Sequence, residues 1–90
     1  MQIESILAPR RTQCGLSGGS KKRALEQLAQ AIAQDIPSLD ADELFRSLIA
    51  RERLGSTGIG HGIAIPHCRV KGCAGTIGAL ITLDHGIEFD

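Results

Sequence analysis

Residues 20–55 carry two amphipathic helical patterns set head to tail, and the breaks that bound them leave little freedom in how the chain can fold. Ala24, Leu25, Leu28, Ala31 and Ile32 recur at three- and four-residue spacings behind Ser20, a natural N-cap, so a helix is predicted that ends before Pro37. A second helix begins near Asp40, where Asp40 and Glu43 stand at capping-box spacing. Leu44, Phe45, Leu48 and Ile49 supply its apolar stripe, and Gly55 is its stop.

β-prone segments flank this pair. Thr12 to Leu16 reads as a short strand, and Cys14-Gly15-Leu16-Ser17-Gly18-Gly19 breaks regular structure. The run GIAIPH reads as a strand ending at Pro66, which puts His67 at a strand end, and Thr76 to Leu83 reads as a strand covered on both faces because it holds no charge. Strand, two helices, strand, strand is the order of an α/β or α+β layered fold, without repeats or a low-complexity linker. With 90 residues there is room for one domain.

Several function classes are excluded. Ten Lys plus Arg balance ten Asp plus Glu, so the basic footprint of a nucleic-acid binder is missing. Two Phe, no Tyr and no Trp leave nothing for base stacking. The start, MQIESILAPRR, has no signal-like apolar segment and no run is long enough to span a membrane, so the cytoplasm is the expected compartment. Cys14, Cys68 and Cys73 are then expected as reduced thiols.

The chemistry concentrates in RERLGSTGIGHGIAIPHCR, from Arg51 to Arg69, which gathers arginines, hydroxyls, glycines and two histidines. Guanidinium groups bind phosphoryl oxygens bidentately, hydroxyls donate to them, and glycines let backbone N–H groups come close, so the segment calls for a phosphate. Arg51 and Arg53 also have a structural explanation, since positive charge offsets the negative end of a helix dipole. A P-loop is ruled out because no Lys is present and the segment follows a helix; the dinucleotide fingerprint fails because Ile63 occupies the place of its third glycine.

His67 is the candidate nucleophile. Imidazole ordinarily titrates near 6.5, so a neutral fraction with a free lone pair is available at neutral pH. Pro66 fixes its own φ and restricts Ile65, which holds the next side chain at a reproducible point. A hydrogen-bonded histidine at a strand end is the structural alternative. His61, His67, Cys68 and Cys73 are competent metal ligands, but H-x5-H-C-x4-C lacks a paired clamp, and no metal is expected. The basic run Lys21, Lys22, Arg23 reads as a solvated helix face, with docking of an acidic partner as the alternative.

The string from Arg51 to Arg69, with SKKRALEQLA upstream, resembles the fructose and nitrogen-related enzyme IIA family of the bacterial phosphotransferase system, and the likeness extends through TIGALITLD. It is closest to the nitrogen-regulatory branch. The resemblance implies a mixed β-sheet flanked by helices. It also implies that His67 takes a phosphoryl group from an HPr-like histidine phosphocarrier protein while Arg51 neutralises the charge. Ser56, Thr57 and the amides of Gly58 and Gly60 would assist.

No cofactor and no nucleotide are implied. Regulated partners would include potassium transport and sensor proteins, chosen by phosphorylation state. His61 stands where many relatives carry Asn, which would put a second imidazole near the phosphate, and Cys68 stands where Gly is common. The family's domain continues with further strands, helices and a second active-site histidine that His85 does not match. Residues 1–90 are therefore expected to be the N-terminal portion of a single enzyme IIA domain, with self-association through Thr76 to Leu83. The rival readings are a regulatory binding module that acts without phosphorylation and a small metal-binding protein.

Overall fold

The computed structural model describes residues 2–73 and 75–89. Two 3-10 turns, Ile3–Ser5 and Pro9–Arg11, lead into strand β1, Thr12–Leu16. Helices α1, Lys21–Asp35, and α2, Ala41–Leu54, follow, then β2, Gly58–Gly60, β3, Ile63–Ala64, and β4, Leu80–Leu83. Among the described residues no helix is long and apolar enough to cross a membrane.

The helices form where their caps say they should. Ser20 Oγ accepts the Arg23 amide at 3.1 Å, and Asp40 Oδ2 accepts the Glu43 amide at 3.1 Å. Asp42 and Glu43 occupy the first turn of α2 and Arg51 and Arg53 the last, both in the sense that the helix dipole favours. Ala24, Leu25, Ala29 and Ala31 of α1 are buried with Leu44 and Leu48 of α2. The cluster of Ala29, Leu44 and Leu48 is completed by Leu28, Ile32, Phe45, Cys68 and Val70. The last two matter most for function, because they press the segment behind β3 against the helix pair.

β1 pairs with β4 in parallel, Thr12 opposite Leu80 and Leu16 opposite Leu83, with a register shift between Gln13 and Leu16. One extra β1 residue is absorbed there, at a point where Gly15 has φ +70°. β2 and β3 form an antiparallel hairpin that sequence patterning did not anticipate. Its two linking residues, His61 and Gly62, have φ of 59° and 75°, the double positive φ of a type I′ turn. The α/β class holds, with parallel and antiparallel pairings in separate two-stranded sheets.

Two strand expectations need correction. The strand expected over Thr76 to Leu83 is confined to Leu80–Leu83. Upstream of it, the Gly78 amide donates to Ile6 O at 2.9 Å and the Gly78 carbonyl accepts Arg11 Nε at 3.0 Å, so these backbone groups serve the N-terminal segment and not a ladder. Nor is β4 covered on both faces: exposure alternates along it, with Leu80 51% exposed. The strand expected to end at Pro66 stops at Ala64. A last bond from the Ile65 amide to Thr57 O, 3.0 Å, prolongs the pairing, and proline then offers no donor.

Candidate active site

Ser47, Ala50, Arg51 and Leu54 fall at helical spacings that put them on one face of α2. Opposite that face runs the segment after β3, where exposure alternates: His67 and Arg69 are exposed, while Cys68 and Val70 turn inward. The two walls enclose an open cavity of about 610 Å³ lined by Ser47, Ala50, Arg51, Leu54, His67, Cys68 and Arg69. Arg51 and His67 thus line one cavity. Their proximity follows from packing, since Cys68 and Val70 sit on the helix core and leave His67 facing outward. Burial pushes the Cys68 thiol up from its ordinary pKa, so it presents a protonated sulfur beside the histidine.

The imidazole is oriented by its own backbone. His67 Nδ1 lies 3.0 Å from Ile65 O. A carbonyl oxygen only accepts, so Nδ1 carries the proton, and in the neutral ring Nε2 carries the lone pair. Arg51 Nη1 donates to Gly55 O at 2.9 Å, which ties the guanidinium to the end of α2 and commits one of the five N–H donors an arginine has. The capping role and an anion-binding role are compatible.

The remaining expected site residues divide. Ser56 is exposed, and its Oγ accepts the Gly58 amide at 3.1 Å, shaping the turn into β2. Thr57 is buried and gives its amide to Glu52 Oε1 at 2.7 Å and its hydroxyl to Glu52 Oε2 at 2.6 Å, so it anchors the loop and does not point a donor at the cavity. Gly58 and Gly60 belong to the hairpin, and His61 is exposed at its tip. None of these three lines the cavity. His61 has φ 59°, and histidine, like Asn, is among the residues enriched at positive φ.

Sequence reasoning missed Glu52 and its pairing with Lys21. Glu52 is buried, and Lys21 Nζ reaches its Oε1 at 3.0 Å. Burial by itself would raise the Glu52 carboxyl, but the bonds from the Thr57 hydroxyl and amide and from Lys21 outweigh it and hold the pKa below the usual glutamate value. Lys21 also lies 4.7 Å from the Phe89 ring centroid. The reading of Lys21 as part of a solvated face is therefore corrected, while Arg23 pairs with Glu26 along the surface of α1. One signal was available: Glu52 continues the Leu44, Leu48 stripe, so a charge stood at a core position. Arg69, a second guanidinium on the cavity wall, was also passed over. Among the described residues no group of three or more His, Cys, Asp or Glu could hold a metal ion, and Cys14, Cys68 and Cys73 are free thiols.

Residues 5–90 match the family described as the phosphoenolpyruvate-dependent sugar phosphotransferase system, EIIA 2. A nitrogen regulatory protein from Pseudomonas aeruginosa is 51% identical over 90 residues, covering 100% of this chain and 58% of its own length. Another from Pseudomonas putida is 49% identical over 88 residues, covering 98% of this chain and 99% of its own. The crystal structure of nitrogen regulatory protein IIA-Ntr from Neisseria meningitidis superposes with a TM-score of 0.89 at 39% identity, over 98% of this chain and 60% of that one. The chain accordingly spans about 58% of the Pseudomonas aeruginosa relative.

Proposed function

The chain belongs to the EIIA 2 family of the phosphoenolpyruvate-dependent sugar phosphotransferase system, and from that premise we propose that it is the His67-bearing, N-terminal part of a nitrogen-related phosphocarrier domain. His67 Nε2 attacks the phosphorus of a phosphohistidine on an HPr-like carrier. A new N–P bond forms, the donor's N–P bond breaks, and its electron pair returns to the donor imidazole. Arg51 neutralises the equatorial oxygens, a stabilisation worth most where charge develops. Ser56, Gly58, Gly60 and His61 lie outside the cavity, and in this reading they meet the approaching partner.

The observation that carries the proposal is the common cavity of Arg51 and His67, with Nδ1 held by Ile65 O so that Nε2 is the nitrogen left to react. The names of the nitrogen regulatory relatives support placing its output in regulation, by partners that distinguish the phosphorylated from the unphosphorylated form. Potassium transport and sensor proteins are the partner class we assign, and the cytoplasm is the compartment.

Exposed Leu54 on the cavity wall and exposed Ile65, two residues before His67, favour protein contact. They also support a second reading, in which partners bind without regard to phosphate. Incubating the chain with phosphoenolpyruvate and the upstream carriers tests the first. Acid-labile label on the parent and none on His67→Ala is expected; equal labelling of the variant refutes it. Partner affinity indifferent to His67→Ala and His67→Asp would select the second.

A further inference from the structure

Glu52 is a carboxylate on the buried stripe of a helix, 7% exposed, in a chain with few other buried charges among its described residues. Burying an ion pair of this kind contributes little net stability compared with apolar packing of the same shape. Its worth has to be sought in what it holds in place.

A continuous set of hydrogen bonds leads from it to the reactive ring. Lys21 Nζ lies 3.0 Å from Glu52 Oε1. Glu52 takes the Thr57 amide at 2.7 Å and the Thr57 hydroxyl at 2.6 Å. The Thr57 carbonyl accepts the Ile65 amide at 3.0 Å, and the Ile65 carbonyl accepts His67 Nδ1 at 3.0 Å. Three separate pieces of chain, the start of α1, the end of α2 and the hairpin loop, are joined by this one carboxylate.

We propose that Glu52, seated by Lys21, is a positioning residue for His67 that acts through Thr57 and Ile65 to fix the ring's orientation and its Nδ1–H tautomer. The inference rests on the reading of His67 as phosphoryl acceptor for its functional meaning, though not for its geometry. The link is steric and not electronic, because each backbone donor and acceptor along it belongs to a different peptide unit. Thr57 is clamped at its amide and at its side chain, so the direction of its carbonyl is set. That carbonyl sets the Ile65 peptide, and Pro66 stiffens the step to the histidine. A ring left to rotate would present Nε2 only part of the time, and misplacement of a reacting atom by about 1 Å can cost about a hundredfold in rate.

The test is nitrogen-15 NMR of the His67 ring in the full chain, at a pH where the ring is neutral. The parent should show the Nδ1–H pattern. Glu52→Ala and Thr57→Val should move it toward Nε2–H, while Thr57→Ser, which keeps both bonds to Glu52, should retain the parent pattern. Phosphorylation of His67 should slow about tenfold or more in the first two variants, with the KM for the phosphodonor little changed. Should Glu52→Ala fail to fold, the Thr57→Val and Thr57→Ser pair still decides. An unchanged Nδ1–H pattern in folded Thr57→Val and Glu52→Ala overturns the inference. If instead the parent takes no acid-labile label, the reading of His67 as acceptor fails, and the tautomer shifts still judge the positioning role.

Discussion

The guanidinium of Arg11 meets the carboxylate of Asp35 with Nη1 2.6 Å from Oδ2, and both side chains are only 11% exposed. Arg11 also donates to Ile6 O at 2.9 Å and Gly78 O at 3.0 Å, so one side chain binds the end of α1, the N-terminal segment and the approach to β4. Asp35 takes a second bond from Arg10 Nε at 2.6 Å. An acidic residue at the C-terminal end of a helix opposes the dipole, and two arginines reverse the balance.

The hydrogen bonds from Arg10 and then Arg11 hold the Asp35 carboxyl below its ordinary pKa, with burial opposing them. A carboxylate whose pKa is lowered by folding contributes stability above its unfolded value, near 3.9, and loses that contribution as pH falls through the folded value. Asp35→Asn should therefore be less stable than the parent at pH 7, and the gap should close below about pH 4. Urea midpoints measured across that range check the sign. A gap independent of pH contradicts the assignment.

Gly18 is fixed by a neighbour. Its φ is +32°, and a Cβ there would stand 2.8 Å from Leu83 Cδ2 on β4. Gly18→Ala combines an unfavourable backbone conformation with a contact that the flexible end of the Leu83 side chain must yield to, for an expected loss of about 1 kcal/mol. Thermal unfolding measures it, and an unchanged midpoint would contradict the positive φ at Gly18.

His61 carries φ 59° in the hairpin turn. Asn tolerates that region well and β-branched residues do not, because their Cβ crowds the following carbonyl. His61→Asn should stay within about 0.5 kcal/mol of the parent, whereas His61→Val should lose about 1 to 2 kcal/mol. Chemical denaturation of the two variants side by side gives the comparison, and equal stabilities would exclude the I′ turn.

Both helices were legible because their signals are local: Ser20, Asp40 and Gly55 act on amides and carbonyls within a turn, and the apolar spacing states which face is buried. β4 was legible only in part. Whether residues 76–79 join a ladder depends on Ile6 and Arg11, far away in sequence. The hairpin was hidden because His-Gly stands where Asn-Gly would announce a turn. At the site, the chemistry of Arg51 and His67 could be read from residue types. Their meeting in one cavity was expected only from the family resemblance, since it depends on Cys68 and Val70 reaching the helix core. Glu52 was overlooked because a charge between two arginines reads as surface, although its place on the stripe said otherwise.

Arg51 has two tasks that substitution can separate. Its bond to Gly55 O is worth about 1 kcal/mol as a helix cap, while its contribution to a transferring phosphoryl group depends on the planar fork. Arg51→Lys keeps the charge and loses the fork. We expect Arg51→Ala to slow acid-labile labelling of His67 about a hundredfold, with Arg51→Lys intermediate, while both lose about 1 kcal/mol or less in stability. Labelling rates that track stability and not charge geometry would reduce Arg51 to a cap.

β4 raises the last question, because it pairs with β1 alone among the described residues and leaves Leu80 51% exposed. Unpaired N–H and C=O groups along such an edge, beside an apolar side chain, form a template for another strand. The chain should associate as its concentration rises. Leu80→Lys should oppose this, since a charge on an edge strand must be desolvated for a second copy to add, and the substituted position is exposed enough that folding is spared. Light scattering over a concentration series distinguishes the two. A parent that stays monomeric throughout contradicts this expectation.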